Sequence, residues 1–263
     1  MSAERLLEVG VAGASGAMGS AVAQVVLARD GLRLAALYDR PESRGEARHG
    51  VVLSSAAEAL SLCDVIIDFS TGAASAALAR AAAAGRSALV IGSTGLSQAE
   101  EAAVREAGER VAIVKSGNFS LGVNVLAGLA AQAARRLAAE GWDIEIAEAH
   151  HRRKRDAPSG TALMLAEAAA RGRGARLADL ALPPRDGIGP ERPRGGIGFS
   201  VVRGGGLVGE HSVVFAAEDE IVTLSHSARD RRLFARGAVE AAVWVAGRAT
   251  GLYDMNDVLG FVD

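Results

Sequence analysis

Three observations predict an α/β protein in two parts. Short apolar runs rich in β-branched residues alternate with alanine-rich helical stretches through the first part of the chain, and continuous apolar strands of that kind belong to a parallel sheet covered on both faces. A glycine-rich turn follows the first of these runs and opens the first helix. After Asn118 the pattern changes to one long helix, a partly alternating strand, and later several strands at short spacing, which suits a smaller α+β part with a mainly antiparallel or mixed sheet.

In chain order, Val9-Gly10-Val11-Ala12 reads as the first strand and is followed, after the glycine turn, by a helix through about Arg29. Strands are expected at 32–38, 65–69, 88–91 and 111–114, with helices at 73–84 and 98–107 between them. The second part reads as a helix over 122–139, a strand over 143–149 and a helix over 159–170. A loop rich in Pro, Gly and Arg then occupies 182–196, long enough to be functional or mobile rather than a plain connector. Strands at 197–203, 211–216 and 220–225 follow at short spacing, which suits an antiparallel arrangement, and a helix over 231–247 closes the chain. The expected division is a first domain of 1–121 completed by 231–263, and a second of 122–230.

With 49% hydrophobic and 23% charged residues in 263, the chain has enough apolar material to bury a core. A formal charge of -2 gives no overall attraction to nucleic acid or an anionic membrane. Cys63 is the single cysteine, so no internal disulfide and no oxidising compartment are implied; in its apolar setting it reads as a small buried side chain. The absence of a signal-like apolar segment at the N-terminus makes a cytoplasmic protein the expectation.

Gly13-Ala14-Ser15-Gly16-Ala17-Met18-Gly19 stands between a strand and a helix. Glycines there let backbone N–H groups approach a pyrophosphate at the helix N-terminus, which makes the first domain a Rossmann-type dinucleotide-binding candidate. Glycine triplets also serve plain turns, but here strand, loop, helix, strand and acid occur in order. Asp39 ends the second strand where an acidic side chain meets the ribose hydroxyls, and Arg40 beside it suits a 2′-phosphate, so this end favours neither NAD nor NADP. Gly92-Ser93-Thr94-Gly95 and Ser116-Gly117-Asn118-Phe119 follow later strands, where ligand crevices form.

The stretch from Glu148 to Thr161 holds two of the five histidines and four consecutive basic residues, Arg152, Arg153, Lys154 and Arg155, and ends in a helix-start signal at Pro158-Ser159. A solvated basic loop, a nucleic-acid contact and an anion site with proton-transfer groups are its three readings. The near-neutral charge and the lack of interleaved aromatics argue against the second. Adjacent histidines do not give the i,i+4 spacing of a helical zinc pair, so no metal is expected. The third reading accounts for most of the segment: a histidine trades protons near neutral pH, and cations with helix-start N–H groups hold carboxylates.

In these segments, joined by Asp68-Phe69-Ser70, Gly117 to Asn124, Arg203-Gly204-Gly205, Gly209-Glu210-His211, Phe234 to Ala238 and Tyr253-Asp254-Met255, the sequence resembles the dihydrodipicolinate reductase family. The match runs in order along nearly the whole chain, and the histidine segment ending in Asp-Ala-Pro-Ser-Gly-Thr is specific to that family. The resemblance implies NAD(P)H-dependent reduction of a cyclic imine dicarboxylate to tetrahydrodipicolinate in diaminopimelate and lysine biosynthesis, with hydride passing to C4 from NADPH or NADH. It implies His150 as proton donor or acceptor, and Lys154 as second proton donor or electrostatic support. His151, Gly160 and Thr161 would bind substrate carboxylate. Cofactor contacts would come from Gly13, Ala14, Ser15, Gly16, Ala17, Met18, Asp39, Arg40, Gly92, Ser93, Thr94, Ser116, Gly117, Asn118 and Phe119. A homotetramer built through the second domain's sheet is implied too.

Two departures stand out. Arg153 occupies a position where members often have histidine, which leaves His150 and Lys154 in place but alters the local field. Asp39 is the shorter acid, which bears on cofactor choice. Competing readings are another two-domain NAD(P) dehydrogenase, acting on an amino acid or sugar, and a nucleotide sensor without turnover. The Asp-Ala-Pro-Ser-Gly-Thr context argues against the former, and the latter gives no reason to keep both His150 and Lys154.

Overall fold

Strand–helix alternation in the sequence becomes, in the computed structural model, twelve strands and nine α-helices among the described residues, 5–261. The outermost residues of the expected first domain, 1–4 and 262–263, lie outside that range. The elements are β1 (Leu7–Ala12), α1 (Ala17–Leu27), β2 (Leu32–Tyr38), β3 (Ala47–Arg48), β4 (Val51–Ser54), α2 (Ala56–Leu62), β5 (Val65–Asp68), α3 (Gly72–Ala82), β6 (Ala88–Ile91), α4 (Gln98–Gly108) and β7 (Ala112–Lys115). They continue with α5 (Leu121–Arg136), β8 (Asp143–His150), α6 (Gly160–Gly172), α7 (Leu177–Leu180), β9 (Ile197–Arg203), β10 (Gly209–Ala216) and β11 (Ile221–Ala228). The chain closes with α8 (Arg232–Val245), β12 (Gly251–Tyr253) and α9 (Met255–Leu259). The chain contacts divide into two units, one built from the residues up to Leu121 and from Arg232 onward, the other from Gly122–Arg231. None of the described helices is long and apolar enough to cross a membrane.

The first unit is organised on a sheet ordered β12-β7-β6-β5-β1-β2-β4-β3, parallel except where β3 meets β4. Its central strands are buried on both faces because neighbouring side chains enter two different cores. Val9, Val11, Val65, Ile67 and Val90 pack with Val22 and Val26 of α1 and Ala238, Val239 and Ala242 of α8. Ile66, Leu89, Ile91 and Ile113 pack with Ala59 of α2, Leu78 of α3 and Val104 of α4. Strands so enclosed read as unbroken apolar runs, hence the sequence pattern. The order reverses at β1, whose neighbours are β2 on one side and β5 on the other; ligand crevices open beyond the carboxyl ends at such a point.

The second unit has a four-stranded sheet ordered β11-β10-β8-β9. One face carries Ile144, Ile146, Ile197, Val213 and Phe215, packed under Leu126 and Ala130 of α5 and Leu165, Ala166 and Ala169 of α6. The opposite face carries exposed apolar side chains, including Val202 and Ile221. The short spacing of β9 and β10 suits a hairpin, yet the two are not neighbours. β8 lies between them, parallel to β9 and antiparallel to β10. The connection that makes this possible is Gly204-Gly205-Gly206-Leu207-Val208, which passes the end of β8: the Gly204 N–H donates to the His150 carbonyl at 2.9 Å and the Arg152 N–H to that of Gly205 at 3.3 Å.

Candidate active site

In the first unit, the turns after β1, β5, β6 and β7 share the carboxyl edge of one sheet. Gly13 has φ +73, and a Cβ there would lie 2.6 Å from the Phe69 carbonyl oxygen, so glycine is required by conformation and by space together. α1 begins after Gly16, which has no side chain with which to cap it, so the first-turn N–H groups point outward at the positive end of the helix. The Ser15 N–H donates to Asp39 Oδ2 at 2.6 Å, and the Arg40 N–H to Asp39 Oδ1 at 2.7 Å. Burial works to raise the Asp39 carboxyl pKa, but these hydrogen bonds and the Arg40 charge outweigh it and hold the value below the usual range. The carboxylate at the end of β2 is therefore tied to the glycine turn and ionised, while the Arg40 side chain is 81% exposed and reaches outward.

The later turns divide into outward and inward parts. Ser93 is buried and its hydroxyl accepts a hydrogen bond from Ser75 at 2.7 Å, and Phe119 is buried edge-on to Phe69. What these two offer a ligand is backbone rather than side chain. Thr94 and Gly117 are exposed. The Ser116 hydroxyl is engaged locally, donating to the Asn118 carbonyl at 2.8 Å.

In the second unit, the alternation of β8 puts Ile144, Ile146, Glu148 and His150 on its buried face, so the apolar core grades into a polar end. His150 Nδ1 donates to Glu148 Oε2 at 2.5 Å. The fully buried Glu148 carboxylate also receives two hydrogen bonds from Arg203 of β9, both at 2.8 Å, and the Ser159 N–H at 3.0 Å. Burial raises the Glu148 pKa, and the donors from Arg203, His150 and Ser159 overcome it to leave the value lowered. Ser159 caps α6, its hydroxyl accepting from the Ala162 N–H, so Gly160 and Thr161 lie at the positive end of a 13-residue helix. Lys154 extends from the loop between β8 and α6, with Nζ 2.9 Å from Asp156 Oδ2. His151 follows His150; burial first, and then the neighbouring cations Arg153 and Arg231, push its imidazole pKa down. The Arg152, Arg153 and Arg155 side chains are exposed.

His211 of β10 completes the polar end. It lies edge-on to His150 with ring centroids 5.0 Å apart, and its Nε2 is 3.3 Å from Ser159 Oγ. Burial first, and then the His150 charge, lower its pKa from 6.5 to about 4. The unfolded chain thus takes up this proton near 6.5 and the folded chain only near 4. The folded state has the full benefit of neutral His211 above that window and loses it as pH falls through the window, to the extent of about 3 kcal/mol. His211→Gln is expected to flatten the fall in urea midpoint between pH 7 and pH 4.5; an unaltered slope would remove His211 from the acid sensitivity.

Glu148, Arg203 and His211 were not among the candidate residues from the sequence. Arg203 and His211 stand in segments that carried the resemblance but had no role assigned, and Glu148 stands two residues before His150 on a strand, and so shares its face. Arg203 and His211 reach the same spot only through the strand register, in which Arg203 pairs with His150 and His211 with Glu148.

Comparisons with known proteins agree along nearly the whole chain. A model described as dihydrodipicolinate reductase, N-terminus, matches residues 7–119, and one described as dihydrodipicolinate reductase, C-terminus, matches residues 122–259. The chain is 56% identical to a 4-hydroxy-tetrahydrodipicolinate reductase of Caulobacter vibrioides over 97% of its own length and 98% of the relative's. It is 49% identical to the protein of the same name from Sinorhizobium medicae, over 95% and 96%. Among solved structures it is similar to a dipicolinate-bound dihydrodipicolinate reductase from Paenisporosarcina sp. TG-14, with a TM-score of 0.78 at 24% identity, covering 95% of this chain and 97% of that one.

Proposed function

This chain belongs to the dihydrodipicolinate reductase family, and from that premise we propose that it reduces 4-hydroxy-tetrahydrodipicolinate to tetrahydrodipicolinate with NADPH or NADH, on the route to diaminopimelate and lysine; the 4-hydroxyl leaves as water, and hydride and a proton add to the conjugated imine that results. The observation that carries the reading is the polar end of β8, where a histidine anchored on a buried carboxylate stands beside a lysine-bearing loop and the start of α6. That combination serves a dianionic substrate that must also exchange a proton.

The nucleotide end fits a dinucleotide. Gly13 and Gly16 keep the turn clear of side chains, and at Gly13 a Cβ would run into the Phe69 backbone. Gly13 to Met18 would hold the pyrophosphate, Asp39 the ribose, and Arg40 a 2′-phosphate; the backbone of Gly92 to Thr94 and Ser116 to Phe119 would border the nicotinamide. When bound, the dinucleotide supplies the hydride. The chain supplies the rest. His151 and the N–H groups of Gly160 and Thr161 hold carboxylate, Lys154 sets a positive charge where electron density builds, and His150 exchanges the proton that balances hydride addition.

The test is steady-state oxidation of NADPH and of NADH with freshly formed dihydrodipicolinate-synthase product. Turnover is expected only when that product is supplied, and a folded protein without turnover would overturn the assignment. Arg40→Ala is expected to weaken NADPH roughly tenfold more than NADH, the size of one charge-assisted hydrogen bond. Equal losses in fluorescence titrations would show that Arg40 does not meet the 2′-phosphate.

Assembly and location belong to the same proposal. The uncovered face of the second sheet, with Val202 and Ile221 exposed, supports association of copies into a homotetramer, which light scattering would measure. The lone buried thiol of Cys63 supports a cytoplasmic setting.

A further inference from the structure

We propose that Glu148 and Arg203 are positioning residues for His150: they fix the proton on Nδ1 and leave Nε2 as the nitrogen that exchanges a proton with substrate. This deepens the assignment of His150 above and rests on it. An ionised carboxylate only accepts hydrogen bonds, so the imidazole nitrogen facing Glu148 must be the donor. Both Glu148 oxygens are committed. Oε1 accepts from the Ser159 N–H and Arg203 Nη2, and Oε2 from Arg203 Nη1 and His150 Nδ1. With no solvent exposure of the Glu148 side chain, a carboxylate without the Arg203 fork would face burial with too few donors. Arg203 has a second attachment, Nη2 donating to the Asp156 carbonyl at 2.6 Å. One guanidinium therefore links the carboxylate behind His150 to the loop that carries Lys154.

The other end of the imidazole faces a glycine. A Cβ at position 209 would lie 3.1 Å from His150 Nε2, and the residue there is Gly209. The charged and titratable groups around His150 come from four elements: Glu148 on its own strand, Arg203 on β9, His211 on β10, and His151, Lys154 and Asp156 in the following loop. Glu148 is the one bonded to Nδ1, which is why it sets the tautomer.

The experiment uses full-length Glu148→Gln, Arg203→Met and Arg203→Lys, with kcat and KM followed across pH and ¹⁵N shifts recorded on histidine-labelled protein. Glu148→Gln is expected to lower kcat about 10²-fold, with KM and dinucleotide affinity within about threefold. Its pH limb for the proton-exchanging group should move to lower pH, since the imidazolium loses its counter-charge; Arg203→Met should move it the other way. Arg203→Lys, which keeps charge but not the fork, should restore part of kcat. The ¹⁵N spectrum should show His150 protonated on Nδ1 in the parent and mixed between nitrogens in Glu148→Gln. An unchanged limb and an unchanged ¹⁵N pattern in folded Glu148→Gln would overturn the proposal. Should that variant not fold, an Arg203→Met protein that loses activity without moving its limb would overturn it equally. Failure of the parent enzyme to turn over would instead sink the assignment of the reaction, because the nitrogen shifts report positioning without any substrate.

Discussion

Lys154→Ala lowers kcat by about 10²-fold or more, the range for loss of a positioned acid or fixed charge, while dinucleotide affinity stays within about twofold. The reasoning is local. Lys154 belongs to the loop after β8, its side chain is 22% exposed, and its ammonium is held on Asp156 close to the start of α6. The glycine turn and Asp39, proposed above for the nucleotide contacts, belong to the other unit. Adding hydride to a conjugated imine raises electron density that a nearby cation stabilises more in the transition state than in the ground state, so the loss falls on kcat. Lys154→Arg divides the two roles left to this side chain. Guanidinium keeps the charge but does not give up a proton near neutral pH; recovered kcat assigns electrostatic support, and no recovery assigns proton donation. Unchanged kcat in Lys154→Ala would take the residue out of the chemistry altogether.

Gly237→Ala is the second large effect, and it falls on stability. A Cβ at this position of α8 would sit 1.7 Å from the Phe119 carbonyl oxygen and 2.9 Å from its carbon. Both sides are backbone, and Phe119 is itself pinned by burial and by its edge-on contact with Phe69. Neither can turn aside as a flexible side chain would, so helix and turn must separate. A loss of at least about 3 kcal/mol is expected, at the upper end for overpacking, which corresponds to a Tm drop of roughly 6–12 °C. Because the displaced turn is Ser116 to Phe119, dinucleotide affinity should weaken in parallel. Gly247→Ala is the control, since a Cβ there meets nothing within 4 Å. Matching melting curves for Gly237→Ala and the parent would refute the close approach.

The first sheet was legible because its strands are enclosed on both sides. Val65-Ile66-Ile67 and Ala88-Leu89-Val90-Ile91 sit in two cores at once, and a short, uninterrupted apolar run between turn residues is the mark such enclosure leaves on a strand. Less visible were pieces too short for periodicity, such as β3, β12 and α9. α2 opens on a Ser55–Glu58 capping box in the structure, but its alanines give little contrast between faces. Spacing alone did not give the strand order of β9 and β10, because a five-residue connection looks the same whether it joins neighbours or steps over a third strand. The candidate site divides along similar lines. The histidine segment announces itself by charge and by its helix-start signal. Arg203 and His211 become partners of Glu148 and His150 only when the register is set, and register depends on contacts distant in sequence. Ser93 and Phe119 occupy turns of the expected kind, yet their side chains serve Ser75 and Phe69 instead.

The insertion of β8 between β9 and β10 also constrains how the second unit folds. β9 and β10 follow one another in the chain but cannot zip together as a hairpin and still reach the native order. Productive folding has to wait for a strand synthesised well before them to seat between the two, so chain-entropy loss precedes the contacts that offset it. A β9–β10 hairpin formed early is a local trap that must reopen, and until β8 arrives both of its future neighbours present unpaired edges on which another chain can add.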